Sequence, residues 1–252
     1  MRITAIPQIY RHLNRWGEIL AVLSKYGLAN WIGRLGPEFA KDMLKARRGD
    51  SIARLSWETR IRLALGELGP TFVKLGQLLS TRPDLVGVAL AAELEQLQTN
   101  AQADPPDVVR ATIQRELGRN VEDLFRQFDE QPLASASIGQ VHGAVLHSGE
   151  RVVVKVQHAD ILWRVEVDLD ILSGLAHLAE RIPEFQNYRP QAVVAEFQRS
   201  LRRELDFTRE QRNIQQFAVQ LAGNPNLRLP RPYPALSSQR VLTMQRLDGI
   251  KL

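Results

Sequence analysis

The chain has 252 residues, of which 44% are hydrophobic, enough to bury a core as one large domain or two small ones and to exclude a disordered or fibrous protein. No stretch reaches the roughly 18 to 20 uncharged apolar residues of a membrane-spanning helix, and the N-terminus lacks the apolar region of a signal peptide. The lack of cysteine excludes disulfides, thiolate metal sites and thiol nucleophiles. We therefore expect a cytoplasmic protein that associates with membranes only peripherally.

The net charge of +5 is unevenly spread, because residues 1–62 hold 12 Lys and Arg against 5 Asp and Glu. Tyr10, Trp16, Tyr26 and Trp31 lie among the apolar residues of this basic segment. Such a segment can bind an anionic membrane surface, or it can be an amphipathic helical layer whose basic face is solvated. No recognised nucleic-acid-binding motif accompanies the charge, so nucleic acid is not expected as a partner.

Hydrophobic periodicity and helix-ending residues predict a helical region before the first strand. The first predicted helix breaks at Gly27, and the second has Ser56 as its N-cap candidate. A later helix is expected to have Asp104 as its N-cap and to end at Gly118, while Arg82–Asp84 is predicted to form a turn. The predicted helices are residues 5–34, 56–68, 71–80, 88–97, 104–118 and 121–128.

A β region follows, and its central segment, Leu133–Gln157, is typical of a strand, a small-residue loop, a strand, a tight turn and a third strand. The loop has almost no side-chain bulk, so its backbone N–H groups can approach a phosphate closely. A further strand is predicted at Arg240–Arg246, before a hinge-like turn at Asp248–Gly249. The loop residues are Ala134, Ser135, Ala136, Ser137, Ile138 and Gly139.

Lysine is rare in this chain, which has six, and Lys74 and Lys155 are the only two between residues 46 and 250. An ammonium is a compact, titratable point charge and a guanidinium is a wide fixed fork, so both positions suggest a need for the ammonium. Lys155 lies in a β-branched run, where its charge must reach solvent or meet an anion. The alternative is chance in a chain that favours arginine.

A helix is predicted from Ile161 to Ile182, and a second helix or a broken pair of helices spans residues 189–221. Glu204, Asp206 and Glu210 lie within that second segment. Carboxylates at positions i, i+2 and i+6 cannot share one narrow helix face, so they are not explained as a regular surface ladder. Glu210 can face the sheet while the other two face elsewhere.

The order of the predicted elements resembles that of the nucleotide-binding N-lobe of protein kinases. It consists of three strands with a lysine in the third, a helix bearing glutamates, a further strand and a glycine hinge. The chain more closely resembles the UbiB family of atypical kinase-like proteins. The resemblance rests on Lys74-Leu-Gly-Gln77, the Ala/Ser-rich loop in place of a Gly-rich one with Ser137-Ile-Gly-Gln-Val-His142 after it, and Glu204-Leu-Asp206. It implies an α+β fold with a mostly helical extension at residues 1–128 and a kinase-like N-lobe at residues 129–252, built on a small antiparallel sheet.

The resemblance also implies roles for individual residues. Lys155 would contact the α- and β-phosphates of ATP, and Glu210 would be its partner from a helix. The loop from Ala134 to Gly139 would complete the nucleotide site. The implied cofactors are ATP and Mg²⁺, in an ATPase-type protein that supports ubiquinone biosynthesis. The implied partners are quinone-biosynthesis proteins and an isoprenoid lipid or anionic membrane surface.

A second group of residues is implied to be regulatory. Lys74, Gly76 and Gln77 would belong to a segment of the extension that folds over the place where a protein substrate would otherwise bind. Glu204 would pair with Lys74. Asp206 would accept a hydrogen bond from Gln77 or bind a metal, and these alternatives stay open.

One departure from the kinase pattern bears on activity. Beyond the hinge, the sequence has neither a His-x-Asp catalytic loop nor an Asp-Phe-Gly motif, which supply the base and metal ligands for phosphoryl transfer. We therefore expect that the catalytic C-lobe is missing from this chain and that the chain alone does not turn over ATP. A non-catalytic regulatory or lipid-associated scaffold is the alternative function.

Overall fold

The computed structural model describes residues 5–28, 55–97, 101–224 and 226–249, with side chains from Tyr10 onwards. These residues form a mixed α+β fold in which helices make up the N-terminal part and a small antiparallel sheet follows, as the sequence predicts. The chain divides into two compact units, one of Met1–Thr99 with Trp163–Leu201 and the other of Asn100–Leu162 with Arg202–Leu252.

Helices lead up to the sheet, and further helices separate its last two strands. The elements before β1 are α1 (Ala5–Lys25), α2 (Trp57–Leu68), α3 (Pro70–Ser80), α4 (Pro83–Val86), α5 (Val88–Leu94), α6 (Pro106–Leu117) and α7 (Val121–Leu124). The elements that follow are β1 (Gln127–Phe128), β2 (Ala134–Ser135), β3 (Gly139–Val145), β4 (Arg151–Gln157), α8 (Ile161–Ala179), α9 (Pro183–Gln186), α10 (Pro190–Glu204), α11 (Phe207–Gln220) and β5 (Val241–Gln245). Within the described ranges, none of the helices has the length and apolarity needed to cross a bilayer.

Several helix ends follow the local signals that predicted them. α2 begins after Ser56, whose Oγ accepts a hydrogen bond from the backbone N–H of Thr59 at 3.2 Å. α6 ends at Gly118, whose φ of 69° lies in the left-handed region that glycine adopts without steric cost. Part of the first predicted helix, residues 29–34, lies outside the described residues.

Two predictions near proline residues are wrong. Asp104 does not cap α6, because Pro105 occupies the N-cap position and the Asp104 carboxylate accepts a hydrogen bond from Ala159 N at 3.0 Å. The segment Arg82–Asp84 does not form a simple turn, because Pro83–Val86 continues into one turn of helix. In both places proline at the first helical position starts the helix, since its fixed φ suits that position.

Three predicted helices end earlier than expected. α7 stops at Leu124, because Phe125 is extended and leads directly into β1, which pairs with β3. α5 ends at Leu94 rather than at residue 97, and α8 ends at Ala179 rather than at residue 182. Leu97 after α5 and Phe125 after α7 still pack in cores, so hydrophobic spacing overestimated the helix lengths.

The first unit has a core between α2, α3 and α5. The buried residues of this core are Val73, Leu90, Leu94 and Leu97. Gly76 in α3 lies against this cluster so closely that an added Cβ would collide with the Leu97 side chain and lie 3.1 Å from Leu65 Cδ1. The close approach that Gly76 permits is therefore packing within this unit.

The sheet of the second unit has the strand order β1-β3-β4-β5, with β2 also paired to β3, and all of these pairs are antiparallel. Successive side chains of a strand point to opposite faces. Val152, Val154 and Val156 of β4 are fully buried against α6 and α7, whereas Val153 and Lys155 are only half-buried. The sheet thus has a core face and a second, more open face that carries Lys155.

Candidate functional site

An ion pair lies over the open face of the sheet, at the lysine that the sequence analysis singled out. Lys155 Nζ in β4 is 2.7 Å from Glu210 Oε2 in α11, and it lies 4.6 Å from the centre of the Phe207 ring. The expected pairing of Lys155 with Glu210 is therefore present. The two side chains are 28% and 40% exposed, so the ammonium is partly desolvated but still accessible to an anionic ligand.

A break between α10 and α11 aims Glu210 at Lys155. Asp206 is the N-cap residue of α11, and its carboxylate accepts a hydrogen bond from Thr208 N at 3.1 Å. Leu205 O accepts a hydrogen bond from Gln157 Nε2 of β4, which ties the break to the sheet. The segment predicted as one helix or a broken pair is thus a broken pair, and the capping carboxylate begins the helix that carries Glu210.

Apolar side chains accompany Lys155 on the open face, among them the fully buried Leu242 directly opposite it in β5 and three half-buried residues of β3, β4 and β5. Val141 is directly opposite Lys155 in the β3–β4 register, and Val153 is opposite Met244 in the β4–β5 register. Val141, Val153 and Met244 are half-buried. These residues were not predicted as site residues, although the alternation of side chains along the predicted strands places them on the face of Lys155.

The small-residue loop is shorter than predicted. Ala134–Ser135 forms the strand β2 and Gly139 begins β3, so only Ala136, Ser137 and Ile138 are left as the loop between them. The reason is local pairing, because Ala136 N donates to Gly139 O at 2.9 Å and closes a tight hairpin. An added Cβ at Gly139 would collide with the Val156 carbonyl, so the packing of β3 against β4 requires glycine at this position.

A buried polar cluster around His142 in β3 was not predicted from the sequence. His142 Nδ1 donates to Asp129 O at 2.8 Å, so its Nε2 accepts from Gln140 Nε2 at 2.8 Å. Burial lowers the pKa of His142, although the contact with Asp129 opposes this effect. Gln140 Oε1 in turn accepts from Asp104 N at 2.6 Å. Gln140 and His142 share one face of β3, but the sequence could not show that Asp104 and Asp129 lie beside them.

The proposed regulatory residues are divided between the two units. Gln77 Nε2 donates to Leu97 O at 3.2 Å within the first unit, beside the packing of Gly76. Lys74 belongs to α3 in the first unit, and Glu204 ends α10 in the second. Their pairing therefore stays a prediction.

Residues 96–252 match the family model of the ABC1 atypical kinase-like domain. Because this match covers more than half of the chain, the chain belongs to the ABC1 atypical kinase-like family. The matched range contains β1 to β5 and both residues of the Lys155–Glu210 pair. The kinase-like class inferred from the order of the elements is thereby confirmed.

Curated relatives of the chain carry the name "Probable protein kinase UbiB", which confirms the UbiB resemblance. The relative from Sodalis glossinidius is 37% identical over 247 residues, covering 96% of this chain and 45% of the relative. One from Pseudomonas aeruginosa is 39% identical over 221 residues, covering 87% of this chain and 41% of the relative. The chain therefore spans less than half the length of these relatives.

A solved structure is also similar to the chain. It is the complex of Rv3197 with erythromycin from Mycobacterium tuberculosis, with a TM-score of 0.52 and 28% sequence identity. The similarity covers 74% of this chain and 47% of that one.

Proposed function

We propose that the second unit binds ATP and belongs to an ATPase-type UbiB protein that supports ubiquinone biosynthesis. The observation that carries the proposal is the contact between Lys155 and Glu210 on the open face of the sheet. In protein kinases a lysine on this strand holds the nucleotide phosphates while a helix glutamate fixes its position. Residues 1–128 are proposed to be the extension and residues 129–252 the nucleotide-binding lobe.

The residues of the open face fit a nucleotide. The accessible ammonium of Lys155 suits a phosphate, and the half-buried Val141, Val153 and Met244 provide an apolar surface for a planar base. Ala136 is exposed in the loop, where its lack of bulk leaves room for a phosphate near the backbone. Glu210 would hold the lysine in place through their 2.7 Å contact.

The described residues contain no magnesium site built from three or more protein side chains. Among them, no group of three or more His, Asp or Glu side chains converges in a way that could hold a metal. Asp206, for which metal binding was one alternative, caps α11. We therefore assign no step to Mg²⁺ in this chain, although ATP-dependent proteins of this class use it.

A lipid-associated scaffold is the second candidate function, and one observation in α1 favours it. Tyr10 and Leu13 are exposed, with Arg11 between them also exposed. An apolar and basic helix surface of this kind can bind an anionic membrane surface or a lipid. Trp31, which the sequence placed in the same basic segment, lies outside the described residues.

Titration of the 252-residue chain with a fluorescent ATP analogue tests the ATP site. Lys155→Ala should weaken binding by at least about tenfold, because a charge-assisted hydrogen bond to phosphate is lost. Lys25→Ala is the matched control, since it removes another ion-paired lysine, bonded to Glu67, and should leave the affinity unchanged.

Two outcomes would contradict the ATP proposal. One is equal binding by wild type and Lys155→Ala, and the other is no binding by a folded wild-type chain. Binding to anionic vesicles without nucleotide binding would favour the scaffold. The same samples should show no ATP hydrolysis above background, because no residue of this chain is assigned as the catalytic base for phosphoryl transfer.

A further inference from the structure

Gln157 ends β4 two residues after Lys155, on the same face of the strand, and only 1% of its surface is exposed. Its Nε2 donates to Leu205 O in the break between α10 and α11, and it lies 3.5 Å from Gln239 O in the segment before β5. Both neighbours are carbonyl oxygens, which only accept hydrogen bonds, so the nitrogen of the amide must face them. The amide therefore joins the strand of Lys155 to the start of the helix that carries Glu210.

The carbonyl of Gln239 is shared with the first residue of α11. Phe207 N donates to Gln239 O at 3.0 Å, and the buried Phe207 ring lies 4.6 Å from Lys155 Nζ. The end of β4, the break and the segment before β5 thus meet at one point. Glu210 lies in the first turn of α11, so the direction in which α11 leaves this point decides whether its carboxylate reaches Lys155.

The contribution of the Gln157 side chain comes from its donor and not from its acceptor. Its Oε1 makes no hydrogen bond to any of the described residues, whereas its Nε2 reaches two backbone carbonyls. Methionine is similar to glutamine in length but has no N–H donor. Replacing Gln157 by methionine therefore removes the bond to Leu205 and keeps most of the packing.

We propose that Gln157 is a positioning residue for the nucleotide site. By holding the Leu205 carbonyl it sets the start of α11, and it thereby places the Glu210 carboxylate against Lys155. The inference rests on the proposed ATP site and adds to it a residue that acts through the ion pair. Both charged side chains are partly exposed, so without this bond they separate more readily and Lys155 is less well preorganised for a phosphate.

The first test measures the ion pair itself and needs no nucleotide. A carbodiimide joins an amine to a carboxylate in direct contact with it, with loss of water, and mass spectrometry of the digested chain quantifies the link between Lys155 and Glu210. Gln157→Met should lower the yield of this link at least about threefold, the effect of losing one buried hydrogen bond. The link between Lys25 and Glu67, whose charged atoms are also 2.7 Å apart, is the internal control and should form equally in both proteins.

A second variant guards against a loss of folding in Gln157→Met. Gln157→Asn keeps a buried amide but withdraws it by one methylene, so it should lower the yield of the Lys155–Glu210 link in the same direction. Equal yields of this link in wild type and a folded variant would overturn the positioning role. An equal loss of the Lys25–Glu67 link, or a failure of both variants to fold, would assign Gln157 to the stability of the fold and overturn it as well.

The second test is the affinity for a fluorescent ATP analogue in a double-mutant cycle. Gln157→Met should weaken binding about threefold to tenfold on its own, and it should add no further weakening to Glu210→Gln, where no carboxylate is left to place. A purely structural residue would weaken binding by the same factor in both backgrounds. Gln198→Met is the control, because it removes an amide that donates to Leu169 O at 3.3 Å in the first unit and should leave the affinity unchanged.

The two tests separate the positioning role from the ATP site. An affinity that Gln157→Met leaves unchanged, or weakens equally with and without the Glu210 carboxylate, would overturn the positioning role. A lower yield of the Lys155–Glu210 link in Gln157→Met, together with no nucleotide binding by wild type, would refute the ATP site and still support the hold of Gln157 on the ion pair.

Discussion

Arg15 is the only buried lysine or arginine among the described residues, with 5% of its surface exposed. Its Nε donates to Asp168 Oδ1 at 2.7 Å, and one of its terminal nitrogens donates to Leu68 O at 2.6 Å. Burial acts to lower its pKa, but the hydrogen bonds to Asp168 and Glu18 outweigh burial and raise the pKa above the ordinary value. The guanidinium therefore joins α1, the end of α2 and α8 through charged hydrogen bonds inside the first unit.

We expect Arg15→Met to lower the free energy of unfolding by about 3 to 5 kcal/mol, because it leaves the fully buried Asp168 without its counter-charge. The double variant Arg15→Met/Asp168→Leu should recover part of this loss, since no buried charge remains. Arg82→Met is the control: Arg82 makes a similar two-bond contact with Asp84, but at the surface, and its loss should be hardly measurable. Urea unfolding gives all three values. The interpretation fails if Arg15→Met is as stable as Arg82→Met.

Single residues differed in how far the sequence could predict their roles. Lys155 was identified because lysine is rare in this chain and unusual in a β-branched strand, and its partner Glu210 followed from the family resemblance. Arg15 was not identified, because a basic residue in an amphipathic helix is normally expected to face solvent or a membrane. Only the fold shows that Asp168 lies beside it. Asp104 was read as a helix cap, because local sequence cannot show that His158 lies against it in the fold.

The break between α10 and α11 shows how tertiary contacts set an element boundary. No glycine or proline marks the break, so the sequence allowed one helix or a broken pair. Leu205 and Phe207 are both buried, and side chains two residues apart cannot share one face of a continuous helix. Phe207 N donates to Gln239 O at 3.0 Å, and Asp206 caps the new helix. Burial on both sides of Asp206 thus explains the break.

Two helix-interior glycines in neighbouring helices should respond to alanine in opposite ways. Gly76→Ala places a methyl group against Leu97 and should cost about 1 to 3 kcal/mol of unfolding free energy through overpacking. Gly66 in α2 has nothing within 4 Å of an added Cβ, so Gly66→Ala should stabilise the protein by about 0.5 to 1 kcal/mol.

Chemical unfolding of both variants measures this difference. In the double variant Gly76→Ala/Leu97→Val the shorter side chain at residue 97 should reduce the loss of unfolding free energy caused by the added methyl group. If Gly76→Ala does not change the free energy of unfolding, the packing at Leu97 is loose. In that case packing does not explain the glycine, and docking of the extension becomes the remaining explanation.

At the scale of the molecule, the order of elements and the kinase-like class were predictable, because the strands, the glycines and one unusual lysine follow one another in an order typical of a kinase N-lobe. The composition of the compact units was not. Residues 163–201 belong to the same unit as the N-terminal helices, and the bond from Arg15 to Asp168 is one of the contacts that join them. Such grouping depends on contacts between distant residues, and hydrophobic periodicity carries no information about them.

The largest-scale prediction is that the extension docks through Lys74 and Glu204. It follows from the UbiB resemblance and from the use of lysine at residue 74 in a chain that otherwise favours arginine. We expect the two residues to be coupled by more than about 1 kcal/mol in a double-mutant cycle, because a docked pair loses solvent screening that a surface pair keeps. Thermal unfolding of Lys74→Ala, Glu204→Ala and the double variant measures the coupling.

A matched cycle on Lys25 and Glu67 supplies the comparison, since that pair has a 2.7 Å contact between exposed side chains of α1 and α2. Its coupling should be much weaker, because solvent screens both charges. Additive effects of Lys74→Ala and Glu204→Ala, or a coupling no larger than that of the exposed pair, would mean that the two residues do not dock the extension. A strong coupling that is lost in Lys74→Arg would support the need for a compact ammonium at this position.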